Sequence, residues 1–193
     1  ADVNEELVLV TNHRRIIVHI AMSADGYIAR EDGDLKWLTA RPAPAGFYGI
    51  EAFMQTIDTK VLGRKTYEAS LRMGAKFDSR RRTIVCSRQP RPGDAPSSVE
   101  FTDEPIDVLV NRLRNSQGQN IWLMGGGEII ASFLDVHGID EFVISVVPIF
   151  IGDGIPLIAR RHRQVPLLLE STEKFEDGLV QLCYMVAGSN FKP

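Results

Sequence analysis

Apolar residues recur along this chain with two different periods, and the period separates predicted strands from predicted helices. Runs rich in Ile and Val, such as IIVHIAM at 16–22, predict buried strands, whereas apolar residues spaced three or four apart predict amphipathic helices. The first half predicts, in order, a strand at 15–22, turns over 23–37, a helix at 47–57, a strand at 59–62, a helix at 65–73, a strand at 83–86 and a loop at 89–97. The helix at 47–57 has an apolar stripe made of Phe47, Ile50, Phe53, Met54 and Ile57.

The second half repeats this alternation and then ends differently. It predicts a short strand at 98–101, a helix at 106–114, a strand at 120–124, a helix at 128–136, a strand at 141–147, a loop at 148–163 and a hairpin of strands 167–175 and 179–186. Strands that alternate with helices are typical of a parallel sheet, and a final hairpin adds an antiparallel edge. The pattern therefore predicts an α/β fold with a mostly parallel sheet.

Length and composition restrict the classes of protein to be considered. The 193 residues fit one domain, predicted at 14–187 with an N-terminal extension at 1–13 and a tail at 188–193. The 22 basic and 25 acidic residues give a net charge of -3, which does not indicate nucleic acid or an anionic membrane as a partner. No apolar run approaches the ~20 residues of a membrane span, and the acidic start does not resemble a signal peptide, so we expect a cytoplasmic protein.

Cysteine and histidine usage does not indicate a metal site. Cys86 and Cys183 each lie inside an apolar run and are interpreted as buried, reduced thiols. The four histidines are scattered along the chain, and no C-x-x-C motif is present. We therefore expect no metal.

The most informative motif is the run IWLMGGGE at 121–128. A buried strand that leads through Gly125, Gly126 and Gly127 into a helix builds an anion site, because the helix start offers unpaired N–H groups and the positive end of the helix dipole. The alternative is that the glycines only make a tight strand-to-helix turn, although three adjacent glycines exceed what a turn needs. The spacing is not G-x-G-x-x-G, so an ordinary Rossmann site is not indicated.

Two further strand ends carry positive charge and hydroxyl groups. Gly63 is followed by Arg64, Lys65 and Thr66 at a predicted helix start, and Ser87-Arg88 ends the strand at 83–86. Each motif alone is more often a solvated terminus than a ligand site. Parallel strands, however, place their carboxyl ends on one rim, where open α/β sheets bind ligands. Together the three strand ends suit a dinucleotide with an extra phosphate, which favours NADPH over NADH.

A fourth candidate is Asp25, which directly follows the first predicted strand. A carboxylate at this rim can bind a substrate or relay a proton. The alternative interpretation is an ordinary Asp-Gly turn made with Gly26, in which the carboxylate bonds only to the backbone. Local sequence favours the turn.

Taken together, these motifs resemble those of the dihydrofolate reductase superfamily. The closer similarity is to the reductase domain of the bifunctional riboflavin-biosynthesis deaminase–reductase, and the lack of room for a deaminase domain suggests a stand-alone relative. The segments that carry the resemblance are IIVHIAMSADGYIA, DLKWL, VLGRKTYE, IVCSR, IWLMGGGEIIASFL and DEFVISVVPIFIGDG. The resemblance implies a three-layer, mostly parallel, eight-stranded mixed sheet with an antiparallel C-terminal hairpin, flanked by helices. It also implies NADPH across the strand ends.

The same resemblance assigns roles to individual residues. Arg64 and Arg88 would face the 2′-phosphate, and a cis peptide is expected between Gly125 and Gly126. Lys65, Thr66 and the three glycines would hold the pyrophosphate, and Ala21 and Ile28 would wall the nicotinamide. The complete set of expected cofactor residues is Ala21, Ile28, Trp37, Gly63, Arg64, Lys65, Thr66, Ser87, Arg88, Met124, Gly125, Gly126, Gly127 and Glu128.

One position on the first predicted helix distinguishes the two branches of the superfamily. Dihydrofolate reductases carry an acidic residue on the first helix to anchor and protonate the pterin. Here Phe47 stands near that position, and the first acid on the predicted helix is Glu51. The riboflavin-type branch, whose substrate is a ribosylamino-pyrimidine, is therefore favoured.

The expected activity is hydride transfer from NADPH to a C=N or C=O group of a small pyrimidine- or pterin-like substrate, or of a ribosylamino substrate. The proton would come from Asp25, Glu51 or water. Two alternatives stay open, namely a catalytically silent nucleotide-binding protein on the same scaffold and a true dihydrofolate reductase. Relatives of this branch also imply a homodimer through the C-terminal hairpin region, with candidate surface on 143–151 and 179–186.

Overall fold

A computed structural model of the chain describes residues 14–161 and 163–188. The predicted extension 1–13 and residues 189–193 of the predicted tail lie outside the described residues. The helices are α1 Lys36–Thr39, α2 Ile50–Met54, α3 Arg64–Arg72, α4 Ile106–Asn115 and α5 Gly127–Asp135. The strands are β1 Ile16–Ser23, β2 Tyr27–Ala29, β3 Ile57–Gly63, β4 Arg82–Cys86, β5 Val99–Thr102, β6 Asn120–Gly125, β7 Glu141–Val147, β8 Ile155–Pro156, β9 Leu167–Lys174 and β10 Val180–Val186.

Eight strands form one sheet in the order β5-β4-β3-β6-β1-β7-β10-β9. Neighbours from β5 through β7 are parallel, whereas β10 is antiparallel to both β7 and β9. This confirms the predicted mostly parallel sheet with an antiparallel C-terminal hairpin. The order and directions of the strands also agree with the eight-stranded mixed sheet that the resemblance implied.

The two faces of the sheet carry different side chains, because successive residues of a strand point to opposite faces. One face packs on α4 and α5, where Val18, Leu113 and Phe133 are fully buried in the main core. The opposite face bears His19 and Ala21 of β1, alternate to Val18, and Trp122 of β6, alternate to Leu123. We call this opposite face, which α2 and α3 flank, the cleft side of the sheet.

The predicted helix at 47–57 is wrong over most of its length. Only Ile50–Met54 are helical, and Phe47 and Tyr48 adopt left-handed backbone with φ of 53° and 56°. Glycines at 46 and 49, which tolerate positive φ, allow this segment to turn instead of continuing a helix. Phe47 is consequently 61% exposed, while Ile57 joins β3, where it is buried.

Short elements inside two predicted loops were not anticipated. The segment 23–37 contains β2 and the beginning of α1, and the loop at 148–163 contains β8. β2 and β8 pair with each other as a separate two-stranded sheet. Their formation depends on contact between distant parts of the chain, which local pattern cannot reveal. Within the described part of the chain, no helix has the length and apolar character needed to cross a membrane.

Candidate functional site

The predicted motifs lie together at the carboxyl ends of the parallel strands. Gly63 at the end of β3 pairs in register with Cys86 at the end of β4. On the other side of β3, Leu62 pairs with Gly125 at the end of β6. The glycine run, the Gly63 motif and the Ser87-Arg88 pair therefore meet on one rim, as the strand order of a parallel sheet requires.

Two helix N-termini face this rim side by side. Helix α3 begins directly after Gly63 and α5 directly after Gly126, and neither start is capped by a side-chain hydrogen bond. The Gly126 N–H donates to Thr66 Oγ1 at 2.7 Å, which joins the two helix starts. Uncapped N–H groups and two positive helix-dipole ends create a local site for an anion.

The glycine run has both structural and ligand-binding uses. Gly125 has φ of +104°, and the peptide between Gly125 and Gly126 is cis, as expected. A Cβ atom at Gly127 would lie 2.5 Å from the Pro156 carbonyl oxygen, so close packing alone requires glycine there. At Gly126 a Cβ atom would meet only Thr66 Oγ1, at 3.3 Å. The tight-turn interpretation thus explains Gly125 and Gly127, and Gly126 keeps its backbone accessible beside Thr66.

The basic residues at the rim differ in how firmly they are held. Arg64 donates from Nε to Glu68 at 2.6 Å and from Nη1 to the Pro90 carbonyl at 3.0 Å. Its guanidinium also lies 5.5 Å from the ring centroid of Phe101. Lys65 and Arg88 are exposed. Arg64 is therefore pre-positioned, whereas the other two are solvated side chains at the same edge.

The remaining predicted cofactor residues separate into two groups. Ala21, Ile28, Ser87 and Met124 are half-buried near the strand ends. Trp37 is buried in an apolar cluster with Val147 and Leu179, and Ala21 packs against this cluster. The Glu128 side chain is 84% exposed and pairs with Arg161 at 3.2 Å. The Glu128 side chain is therefore not directed to the glycine run, whereas Trp37 lies in the cluster beside the expected nicotinamide wall.

Asp25 is engaged by the backbone of another loop. Its carboxylate accepts hydrogen bonds from Ser23 Oγ at 2.5 Å, from the Gly152 N–H at 2.7 Å and from the Ile151 N–H at 3.1 Å. The Ser23 hydroxyl, followed by these backbone amides, lowers the pKa of the Asp25 carboxyl. The carboxylate thus holds residues 151 and 152 of a distant loop, which neither the local Asp-Gly turn nor the proton relay anticipated, and this engagement disfavours the relay.

We expect Asp25→Asn to retain turnover within about threefold, because an amide oxygen still accepts one backbone N–H while a true general acid contributes ~100-fold or more. Asp25→Ala should instead speed amide hydrogen exchange at Ile151 and Gly152. Asp32→Asn is the matched control, since Asp32 accepts only the Asp34 N–H in an exposed turn. A tenfold or greater loss of turnover in Asp25→Asn, with amide hydrogen exchange at Ile151 and Gly152 unchanged, would support the proton-relay interpretation instead.

Glu51, the second predicted catalytic acid, is exposed in the first turn of α2. The residue of this helix that reaches the sheet is Phe53. Its ring centroid lies 4.7 Å from that of His19 and 5.7 Å from that of Trp122. Glu51 is thus not brought to the cleft side, and its role as an acid remains only a prediction.

His19 is a cleft residue that sequence reasoning missed. Burial lowers the pKa of its imidazole to about 4, so the ring is neutral at physiological pH. It lies on the same face of β1 as Ala21, two residues away, and strand alternation at 16–22 could have identified it. A neutral imidazole in this place can accept or donate one hydrogen bond to a heterocycle.

A polar pair beside Ala21 was also missed. Ser145 of β7 pairs in register with both Ala21 and Gln181, so the three side chains lie in one row on the cleft side. Gln181 Nε2 donates to Ser145 Oγ at 3.0 Å and to the Tyr48 carbonyl at 3.1 Å. Both donor hydrogens of the amide are used, which orients it and leaves the Ser145 O–H able to donate. This row places polar groups next to the expected nicotinamide wall.

Comparisons with known proteins agree with this geometry. Residues 14–181 match the family described as the RibD C-terminal domain. The uncharacterized protein YwjB of Bacillus subtilis is 36% identical over 174 residues, covering 90% of this chain and 99% of YwjB. A crystal structure of a putative riboflavin biosynthesis protein from Shewanella sp. PV-4 is 30% identical with a TM-score of 0.80, covering 90% of this chain and 99% of that one. Dihydrofolate reductase from Enterococcus faecalis, complexed with NADP(H), shares the fold at 19% identity and a TM-score of 0.65, over 90% of this chain and 97% of that one.

Proposed function

This chain belongs to the family of RibD C-terminal domains, and on that premise we propose that it is an NADPH-dependent reductase of a small heterocyclic substrate. The substrate class is a pyrimidine- or pterin-like ring, or a ribosylamino derivative, with a C=N or C=O group as hydride acceptor. The observation that carries the proposal is the pair of uncapped helix starts joined by the Gly126–Thr66 hydrogen bond. Two adjacent anion sites suit a pyrophosphate better than a single phosphate.

The residues present fit NADPH. The α3 and α5 N-termini with Thr66 and Gly126 would hold the pyrophosphate, and Arg64 with Arg88 would bind the 2′-phosphate. When bound, the cofactor supplies the hydride. The chain's own contribution is to orient the rings against Ala21. Because Asp25 is committed to a loop and Glu51 is exposed, we propose that the proton comes from water.

We expect the double variant Arg64→Ala/Arg88→Ala to weaken NADPH binding by about 1.5–3 kcal/mol, while NADH binding changes little. The reason is that only NADPH carries the phosphate that these guanidiniums would meet. Isothermal titration with both cofactors measures the difference. Arg82→Ala is the control, because Arg82 lies close in sequence to Arg88 but begins β4, at the end of the strand opposite the rim. Equal affinity of the unaltered protein for NADPH and NADH would contradict the assignment.

Turnover itself is tested by following NADPH oxidation with pterins, pyrimidine ribosides and small carbonyl compounds. Oxidation with one class supports the reductase and identifies its substrate. NADPH binding without oxidation would favour the catalytically silent nucleotide-binding protein, an alternative that the engaged Asp25 and exposed Glu51 keep open. Folate reduction is the weaker alternative, since Phe47 stands where the pterin-binding acid is expected and is turned to solvent.

We also propose a homodimer, and β9 is the surface that supports it. All eight residues of this edge strand are exposed, including Leu167, Leu168 and Leu169. An edge strand offers unpaired N–H and C=O groups to another chain, and contiguous exposed apolar side chains mark interaction sites. The predicted surfaces at 143–151 and 179–186 are less suitable over β7 and β10, because β7 lies between β1 and β10, and β10 lies between β7 and β9.

Light scattering is expected to give a dimeric mass for the unaltered protein and a monomeric mass for Leu169→Glu. Val108→Glu is the control, because Val108 is similarly exposed but lies on α4. A monomeric mass for the unaltered protein at micromolar concentration would rule out the dimer.

A further inference from the structure

A second cavity, of about 380 Å³, lies on the face of the sheet opposite the cleft side. It is lined by Phe142 and Ile144 of β7, which alternate with Val143 and Ser145 on the cleft side. None of its described lining residues belongs to the expected cofactor set. The cavity is therefore separate from the candidate functional site, and its volume is in the ~300–1,000 Å³ range of small-molecule sites.

The lining of this cavity has an apolar part and a basic part. Eight of its eleven described lining residues are apolar, and three of these, Leu134, Phe142 and Ile144, are buried. The other three lining residues are Arg160, Arg161 and Arg163, and no acidic side chain is among the eleven. The lining therefore matches a ligand that is apolar over most of its length and anionic at one end.

The three arginines share few carboxylates. Arg161 and Arg163 pair with the two oxygens of one residue, Asp135. Arg161 also pairs with Glu128 at 3.2 Å, although the Glu128 side chain is 84% exposed. Arg160 is exposed and forms no ion pair within 14–161 and 163–188. Positive charge therefore exceeds negative charge at the edge of the cavity, and this favours an anion there.

Arg163 is the most buried of the three arginines, with a side chain that is 16% exposed. Its Nη2 donates to Asp135, whereas its Nε and Nη1 are buried and have no hydrogen-bond partner in the part of the chain that the structure describes. Buried donors without an acceptor are costly. A guanidinium binds a carboxylate through two parallel N–H donors, so a carboxylate bound beside Arg163 would supply the acceptors that the chain lacks.

The segment 157–159, which forms one wall of the cavity, is fixed by backbone hydrogen bonds. The Leu157 N–H donates to the Gly26 carbonyl at 3.1 Å, and the Ala159 N–H donates to the Gly127 carbonyl at 3.0 Å. The other walls belong to α5 and β7, which are part of the main core. The cavity is thus held open by the fold itself, which lowers the cost of ordering the protein around a ligand.

We propose that this cavity binds an aliphatic carboxylate. The alkyl chain lies against Leu134, Phe142 and Ile144, and the carboxylate lies at Arg163 and Arg160. The inference does not rest on the reductase function, because it uses none of the residues assigned to the cofactor or to the reaction. A sugar or another polyol does not match the site, because the arginines are the only polar side chains among the described lining residues.

The test is isothermal titration of the full chain with octanoate, hexanoate and octan-1-ol, each below its micelle concentration. Octanoate is expected to bind about tenfold more tightly than hexanoate, because each buried CH₂ group contributes roughly fourfold in affinity. It is also expected to bind about tenfold more tightly than octan-1-ol, which has the same chain but lacks the charge that the arginines would meet.

Variants then locate the binding. Val165→Phe places a ring in the cavity and should abolish octanoate binding. Arg163→Gln should weaken it about tenfold, and Arg160→Gln only about threefold, because exposed charge pairs contribute less. Arg72→Gln is the matched control, since Arg72 is also exposed and without an ion pair among the described residues, but lies on α3. Circular dichroism verifies folding, and the exposed Arg160 can be replaced even if the other two variants do not fold.

The inference is overturned if octanoate does not bind, if octan-1-ol binds as tightly, or if the folded variants at the cavity bind octanoate like the unaltered protein. Absence of octanoate binding together with a dimeric mass would indicate that a second copy covers the apolar lining near Leu167 instead. A separate NADPH titration keeps the two proposals apart. Octanoate binding without NADPH binding would establish this site and contradict the reductase, and the reverse result would remove only this site.

Discussion

Replacing Arg14 by Met is expected to lower the free energy of unfolding by about 3–4 kcal/mol. The Arg14 side chain is buried and makes a short ion pair with Asp58. It also donates to Thr59 Oγ1 at 2.8 Å, to Ser116 Oγ at 2.7 Å and to the Gln119 carbonyl at 2.6 Å. One guanidinium therefore ties β3 to the turn before β6. Its removal leaves the buried Thr59 hydroxyl and several half-buried polar groups without this partner.

Urea unfolding measures this loss, and Arg15→Met is the matched control. Arg15 is adjacent in sequence and also forms an ion pair, with Glu141, but its side chain is 44% exposed. Exposed pairs contribute little, so the control should lose less than about 1 kcal/mol. Similar losses in the two variants would show that the buried network is not the cause.

Acidification is expected to destabilise the protein through His19 by about 3 kcal/mol between neutral pH and pH 4. In the unfolded chain the imidazole takes up its proton at the ordinary pKa of 6.5, whereas burial lowers the pKa of the folded state to about 4. Between these values the unfolded state binds more protons. The His19 contribution is therefore fully present above pH 6.5 and is lost as the pH falls towards 4.

Carboxylates also titrate near pH 4. The free energy of unfolding of the unaltered protein is therefore compared with that of His19→Leu at each pH. Urea unfolding gives the free energy of unfolding of both forms across this range. The value for the unaltered protein, relative to that for His19→Leu, should fall as the pH falls, because the variant lacks the titrating ring. Parallel curves would mean that His19 takes up its proton at the same pH in the folded and unfolded states. The cleft side would then be open to water at His19.

The positions of the strands and of the glycine-rich rim could be read from the sequence. The β-branched run at 16–22, the run into Gly125 and the final hairpin are local patterns, and each predicted strand lies within a few residues of its predicted bounds, although β2 and β8 were not predicted. The rim follows from them, because parallel strands bring their carboxyl ends together. The motifs at Gly63 and Gly125 therefore predicted a shared site before any contact was known.

Tertiary structure decided the roles of individual side chains. Asp25 binds to backbone amides 126 and 127 residues away, and Trp37 packs into a core cluster with Leu179. Phe47 leaves the predicted helix because the turn between two glycines has left-handed backbone. The Ser145–Gln181 pair became recognisable only once the strand order placed β7 between β1 and β10. Sequence periodicity specifies which face of its own element a residue occupies, but its partners depend on which elements become neighbours, and that is a property of the whole packed chain.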